Sequence, residues 1–226
     1  MSHLIVVSHP DDEVLGAGGT MYKLAQQGEE VHVCILCGDA EARTKRPELN
    51  QFKENISSAM QMLNVSNCFV GNFPNIKLNT VPHIDVVSFI EKAIEQTQAS
   101  VVITHHPADL NNDHHATSVA CQAAVRLFQR RNDLHPIKNF LFMEVPSATD
   151  WGLNASLIPF IPNTYVEISS EGLLKKIEAL SEYKGVMRDY PHPRSKETLS
   201  ALATLRGSQA GVLYAEAFQS VFRQNL

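Results

Sequence analysis

The 226-residue chain lacks the features that mark membrane proteins and nucleic-acid-binding proteins. No apolar run approaches the roughly 20 residues that span a bilayer, and the apolar stretch near the amino terminus is too short for a secretory signal. Lysine and arginine number 19 against 24 acidic residues, which gives a formal net charge of −5. A general nucleic-acid binder needs a basic face. We therefore expect no nucleic acid among the partners and no insertion into a membrane.

Cysteine is scarce as well, with four residues in the chain. They stand at positions 34, 37, 68 and 121, a spacing that does not indicate a secreted disulfide framework. We expect reduced thiols and a cytoplasmic location. Cys34 and Cys37 form a CxxC pattern inside an apolar stretch, which favours two buried core thiols over a redox pair or a second zinc site.

A glycine-rich phosphate loop is also missing. Gly16, Gly18 and Gly19 follow the first apolar run without the GxGxxG spacing of dinucleotide-binding proteins. Their small size instead favours close packing of a helix on a sheet. A non-catalytic Rossmann-like nucleotide-binding protein therefore remains only as an alternative. Metal analysis would distinguish it from a metal-dependent enzyme.

Strand and helix patterns alternate along the chain, which predicts βαβ units and a mostly parallel sheet. The predicted strands cover 4–8, 31–36, 68–70, 101–104, 139–145 and 164–168. The predicted helices cover 15–28, 50–63, 83–97, 115–131, 170–186 and 195–209. The length fits one α/β domain, so we expect a single domain over residues 1–226. The irregular segment 146–163 is left open between a packed surface loop and a lid or subunit contact.

The run Ser8-His9-Pro10-Asp11-Asp12-Glu13 directly follows the first predicted strand. Ligands of α/β sheets bind at the carboxyl ends of strands, so this run lies where chemistry is expected. A single aspartate after a strand is more often a helix N-cap. The succession of an imidazole and three carboxylates favours a metal or proton-transfer site instead.

A second polar run, from His105 to His115, follows the predicted strand 101–104. If the two strands share a parallel sheet, both runs meet at the same edge. Histidine nitrogen and aspartate oxygen suit Zn²⁺, and a catalytic zinc takes three protein ligands and keeps one position open. His9 and Asp12 with one histidine of the second run would supply them. Asp11 would then be placed to accept a proton from the attacking water.

The segments His9-Pro10-Asp11-Asp12-Glu13 and Asn111-Asn112-Asp113-His114 resemble the two signatures of the PIG-L/LmbE-like N-deacetylases. Residues 206–218 resemble the carboxyl-terminal segment of the same family. The resemblance covers most of the chain and implies a Rossmann-like three-layer α/β fold with a mostly parallel sheet. It also implies a zinc-dependent hydrolase.

Residue by residue, the resemblance implies that His9, Asp12 and His114 bind zinc and that Asp11 is the general base. It implies that Asp113 supports a ligand or relays a proton.

Asn111 departs from the family pattern, because several members carry a histidine there. An amide can donate a hydrogen bond to an oxyanion but cannot deliver a proton. Asn111 is therefore expected as an oxyanion donor, and the general acid is left open among Asp11, His105, His106 and His115.

The resulting hypothesis is a zinc-dependent hydrolase that removes an N-acetyl group from a small amino-sugar substrate. An amidase acting on a non-sugar amide remains the main alternative, because it would share every catalytic residue and differ only in the pocket. Whether the protein forms a homo-oligomer is left open.

Overall fold

The computed structural model describes residues 1–38, 49–152 and 159–224, and these form a sheet covered by helices. The strands are β1 (Ser2–Val7), β2 (Glu30–Ile35), β3 (Asn67–Val70), β4 (Val101–His105), β5 (Asn139–Met143), β6 (Thr164–Glu167) and β7 (Ala215–Arg223). The α-helices are α1 (Asp12–Gln26), α2 (Leu49–Met62), α3 (His83–Thr97), α4 (Asn112–Ala124), α5 (Ser169–Glu182) and α6 (Lys196–Ala210). None of these helices is long and apolar enough to cross a membrane.

The seven described strands form one sheet in the order β3-β2-β1-β4-β5-β7-β6. The first five in that order pair in parallel, and β7 pairs antiparallel with both β5 and β6. The chain runs outward from β1 to β3 on one side and from β4 onward on the other. Ligand sites of open α/β sheets lie at such a reversal of strand order, which here is the junction of β1 and β4.

Helices cover both faces of the sheet, because alternate residues of the central strands are apolar on both sides. Ile5 and Val7 of β1 belong to a core that includes residues of α1, α2 and α5. Leu4 and Val6 face the opposite way and belong to a second core with residues of α3 and α4. The expected three-layer, mostly parallel α/β fold is confirmed.

Strand β7 is the element that the sequence patterns do not predict. Its first four residues are all buried, and a charged Glu216 stands among them. The Glu216 carboxylate accepts hydrogen bonds from Lys176 Nζ at 2.6 Å and from the amides of Gly19 and Thr20 at 3.0 and 2.7 Å. Partners on α5 and α1 therefore satisfy a charge that would otherwise be costly to bury, and they attach β7 to both helices.

The glycines of α1 allow the helix to approach its neighbours closely. A side chain at Gly19 would lie 2.8 Å from Ile168, and one at Gly16 would overlap Met143 of β5. The expectation that these glycines serve packing rather than phosphate binding agrees with this arrangement. It also places the amino end of α1, and with it the first motif, firmly against the sheet.

Candidate active site

Two loops meet at the carboxyl edge of the sheet, one after β1 and one after the neighbouring β4. Ser8 connects them, because its amide donates to Nε2 of His105 at 2.9 Å. Its hydroxyl also lies 2.7 Å from the hydroxyl of Thr117 in α4. The two motifs, with Ser8 and His105 97 residues apart in sequence, therefore form one site.

The three expected metal ligands converge in this site. Nδ1 of His9 and Nε2 of His114 each lie 3.2 Å from Oδ2 of Asp12, and all three residues are buried. Two ligand atoms bound to a tetrahedral zinc at 2.0–2.1 Å lie about 3.3 Å apart. These three residues, called the ligand cluster below, therefore have the spacing of a divalent-cation site.

Two further carboxylates hold the outer nitrogens of the cluster histidines. Asp113 Oδ2 lies 2.9 Å from Nε2 of His9, and Asp109 Oδ2 lies 2.9 Å from Nδ1 of His114. Asp113 also accepts the amides of Ile76 and Leu78 at 2.6 and 3.0 Å. Such outer partners fix the tautomer and orientation of metal-binding histidines, and here they direct the remaining nitrogen of each ring toward Asp12.

Two other groups of ligand-type atoms lie nearby, His9 with Cys37 and Asp113, and His105 with Asp109 and His114. Each contains an outer carboxylate that already pairs with a cluster histidine. Burial raises the pKa of the Cys37 thiol, which keeps it protonated and a poor ligand. The ligand cluster is thus the group best suited to a metal.

The charges of the site also favour a cation. Burial lowers the pKa of His114, but the charge of Asp12 and the hydrogen bonds to Asp109 and Asp12 outweigh burial and raise it to about 10. The pKa of His9 is raised in the same way, against burial, by Asp113 and Asp12. Aspartates surrounding the two rings thus attract positive charge, which a bound divalent ion would supply.

Asp11 lies beside the ligand cluster and is buried. It occupies the N-cap position of α1, yet its side chain makes no capping hydrogen bond, and its backbone has a φ of 109°. Its Oδ2 lies 3.6 Å from Nη1 of Arg194. The carboxylate is therefore not used as a helix cap.

Glu13 stabilises the loop after β1 through hydrogen bonds of its carboxylate. Its carboxylate accepts the amide of Asp11 at 3.1 Å and the hydroxyl of Tyr183 at 2.6 Å. Burial raises the pKa of Glu13 to about 8, although the bond from Tyr183 opposes the shift. Its contacts agree with a structural role outside the ligand set.

Asn111 is the N-cap of α4. Its side-chain oxygen accepts the amide of Asp113 at 2.9 Å, which directs the side-chain NH₂ away from the helix end. Its oxygen thus supports the helix that carries Asp113 and His114.

The three other histidines of the second motif lie in different surroundings. His105 is fully buried and stacks on His114 with ring centroids 3.8 Å apart. His106 packs edge-on against Phe142 and Phe160. His115 is exposed and contacts the carbonyl of Pro107 at 2.8 Å. Of the three, only His105 contacts the ligand cluster.

Three further residues near the site lie outside both sequence motifs. Arg194 contacts Asp11 from the loop between α5 and α6, and its Nε donates to Ser147 at 2.7 Å. Trp151 is 42% exposed and lies edge-on to His192, with ring centroids 5.8 Å apart. Only long-range folding brings these loops to the site, so spacing along the chain could not identify them.

Asp109 was available to sequence reasoning, since it lies in the second motif five residues before His114. Within the segment 146–163, residues 153–158 fall outside the described residues.

Comparisons with known proteins agree with this site. Residues 4–125, more than half of the chain, match the PIG-L family, described as GlcNAc-PI de-N-acetylase. The uncharacterized deacetylase YaiS of Escherichia coli (strain K12) is 26% identical over 189 residues, which cover 80% of this chain and 89% of that protein.

Solved structures share the fold at lower identity. N,N'-diacetylchitobiose deacetylase from Pyrococcus horikoshii has a TM-score of 0.78 at 21% identity, covering 97% of this chain and 83% of that one. GalB, the 4-carboxy-2-hydroxymuconate hydratase of Pseudomonas putida KT2440, has a TM-score of 0.77 at 22% identity, covering 100% and 98%. The family match includes both motifs and the whole ligand cluster, and the chain belongs to the PIG-L family of N-deacetylases.

Proposed function

We propose that this protein is a zinc-dependent N-deacetylase that hydrolyses the N-acetyl group of a small amino-sugar substrate. The observation that carries the proposal is the buried convergence of His9, Asp12 and His114 beside the Asp11 carboxylate. His9 of the loop after β1, Asp12 at the start of α1 and His114 of α4 provide three ligands, which is the count that leaves a catalytic zinc with an open position.

Zinc suits this donor set because borderline nitrogen and oxygen ligands, with no thiolate among them, match its chemistry. When bound, the ion would act as a Lewis acid toward the amide carbonyl and lower the pKa of water toward neutrality. Asp113 and Asp109 would hold the two histidine rings in position for the ion.

In the proposed reaction, Asp11 accepts the proton of the attacking water. Asp11 directly precedes Asp12 of the ligand cluster, and Nη1 of Arg194 lies 3.6 Å from its Oδ2. General-base assistance of this kind contributes typically ~10²–10⁴-fold to a rate. Asp11 can later return the proton to the departing amine.

Asn111 is proposed to stabilise the oxyanion of the tetrahedral intermediate. Its oxygen is held by the amide of Asp113, so the NH₂ group is oriented before substrate arrives. Preorganised donors of this type act without reorganisation during the reaction.

The amino-sugar substrate rests on the family and on the deacetylases among the relatives. The side chains of Trp151 and His192 support it, because an exposed aromatic ring can stack on the apolar face of a sugar. A non-sugar amide remains the alternative, since only these outer residues would distinguish it. The hydratase of similar fold adds that the fold by itself does not determine the reaction.

Three broader assignments belong to the same proposal. We place the whole of 1–226 in one domain, supported by β5, β6 and β7, which continue the sheet beyond the matched residues. We place the protein in the cytoplasm, supported by four free cysteines, three of them buried. The open question of a homo-oligomer is best addressed by mass measurement in solution.

The test is release of free amine from N-acetylated sugars and from matched non-sugar amides, with protein stripped of metal and then titrated with Zn²⁺. We expect turnover to rise until about one zinc is added per chain, with N-acetylated sugars as the better substrates. An equal preference for non-sugar amides would refute the substrate, and activity without any metal would refute the mechanism.

A further inference from the structure

A chain of hydrogen bonds runs from the segment after β5 to the ligand cluster. The hydroxyl of Thr149 donates to Oδ1 of Asp109 at 2.6 Å, and the other oxygen of Asp109 lies 2.9 Å from Nδ1 of His114. Thr149 Oγ1 also accepts the amide of Val145 at 2.8 Å. Because the amide occupies the acceptor side of the hydroxyl, its proton is directed at Asp109.

We propose that Thr149 is a positioning residue for the metal site, and that it acts through Asp109 on the ring of His114. The proposal rests on the metal-dependent function argued above, and it assigns a role to a residue outside both sequence motifs. Orienting partners of metal-binding histidines typically change metal affinity by ~10–100-fold when they are removed.

A second histidine competes for the same carboxylate. Nε2 of His105 accepts the amide of Ser8, so the proton of this ring is on Nδ1. That Nδ1–H is buried and donates no hydrogen bond to any described residue, and it lies 3.8 Å from Oδ2 of Asp109. An unpaired buried N–H costs free energy. Rotation of Asp109 toward His105 would remove that cost by providing an acceptor.

Thr149 opposes that rotation. With Oδ1 held by the hydroxyl, Oδ2 stays on Nδ1 of His114, and Nε2 of that ring remains directed at Asp12. Without the hydroxyl, Asp109 can bond to His105 instead, and the His114 ring loses the contact that fixes its rotation. Thr149, which lies 40 positions from Asp109 along the chain, thus determines which of the two stacked histidines bonds to Asp109.

The segment that carries Thr149 is itself anchored. The amide of Thr149 bonds to the carbonyl of Val145 at 2.9 Å, and the carbonyl of Ala148 accepts the amide of Leu110 at 3.1 Å. These bonds attach the start of segment 146–163 to the second motif. A packed support, rather than a lid, describes residues 145–149.

The experiment compares Thr149→Val, which keeps the shape and removes the hydroxyl, with Thr149→Ser, which restores it. The control is Thr97→Val, because among the described residues the hydroxyl of this buried threonine bonds to backbone carbonyls of α3 alone, at the opposite end of the sheet. Zinc affinity is measured by competition with a chelator, and folding by thermal melting.

We expect Thr149→Val to bind zinc ~10–100-fold more weakly than wild type, with most of the affinity restored in Thr149→Ser and none lost in Thr97→Val. Wild-type affinity in Thr149→Val would overturn the proposal. So would an equal loss in Thr149→Ser, because the hydroxyl would then not be the cause, or an equal loss in Thr97→Val, because reduced stability would explain it.

A second measurement separates this proposal from the proposed function. In metal-free protein, ¹⁵N spectra of histidine should show the Nδ1–H of His114 in a strong hydrogen bond to a carboxylate in wild type and in Thr149→Ser, with that hydrogen-bond signature lost in Thr149→Val. Failure of wild type to bind zinc would refute the function, whereas unchanged spectra in Thr149→Val would refute the positioning role.

Discussion

At the carboxyl end of the sheet, both ring nitrogens of His9 and of His114 lie against carboxylates. At the amino end, His3 and His32 are buried to a similar degree, but their Nε2 atoms have no hydrogen bond from any described residue. The nearest carboxylates, of Glu29 and Glu30, lie 3.6 and 4.0 Å away.

The pKa values of the buried histidines therefore shift in opposite directions at the two ends of the sheet. Burial lowers the pKa of His3 to about 4 and lowers that of His32, which keeps both rings neutral near pH 7. The surrounding aspartates raise the pKa values of His9 and His114 despite burial. Burial alone thus makes a histidine a core residue, whereas a set of carboxylates around it makes it a cation site. Four predictions test this difference.

The largest effect is expected at His114. His114→Ala removes one of three ligands, so the purified protein should lose most of its zinc, about one per chain in wild type, together with its deacetylase activity. His32→Gln, at the amino end, should keep both. The measurement is metal content by mass spectrometry beside amine release. Full zinc occupancy in His114→Ala would instead place another residue, with stacked His105 the first to examine, in the ligand set.

The next effect is expected at Asp11. Asp11→Asn keeps the shape but cannot accept a proton, so turnover should fall by ~10²-fold or more while zinc is retained. Metal content and the rate at saturating substrate decide the outcome. If zinc and activity disappear together, the roles of Asp11 and Asp12 are reversed.

A loss of turnover of ~10²–10³-fold is expected at Asn111, because removing one oxyanion donor has effects of that order. Asn111→Ala should lower kcat more than it raises KM, and Asn111→His should be tolerated. Since the side chain also caps α4, Asn111→Ala should lower stability by about 1 kcal/mol.

Asn111→Asp is the control that separates these two roles. It keeps an oxygen for the cap and removes the NH₂ donors, so stability should be retained while turnover falls. Wild-type turnover in Asn111→Asp would assign Asn111 to the helix cap alone.

The smallest effect is on stability and belongs to the amino end. Between pH 6.5 and about 4 the unfolded chain binds a proton at His3 that the folded protein does not. The free energy of unfolding should therefore fall as pH falls through this range. His3→Gln should make that fall shallower, and His135→Gln, at an exposed site, should not. Denaturant unfolding at several pH values measures the slopes, and identical slopes in His3→Gln and wild type would contradict the assignment.

The sequence predicts much of the site because each motif is local. His9, Asp11 and Asp12 follow one strand, and His114 lies on the helix after another, so a parallel sheet is enough to bring them together. The supporting residues are different. Thr149 and Arg194 reach the site only through long-range packing, and no periodicity marks them.

The secondary-structure predictions likewise succeed where the sequence pattern is local and fail where a long-range contact decides the element. The predicted helix 83–97 coincides with α3, because its apolar residues recur with helical spacing and one face is buried. Strand β7 is missed because Glu216 interrupts its apolar pattern, and Lys176 and two amides of α1 compensate the charge only in the folded protein. The helix predicted over 115–131 ends at Ala124, with a separate turn at Leu127–Gln129.

The backbone of Asp11 has a consequence for engineering. A φ of 109° is a region that glycine adopts readily and that other residues occupy at a cost of about 1–3 kcal/mol. A selection for heat resistance alone would therefore favour glycine at this position and give a more stable protein that lacks the proposed base. Libraries evolved for thermal tolerance should keep position 11 fixed, because glycine would raise stability there but carries no carboxylate.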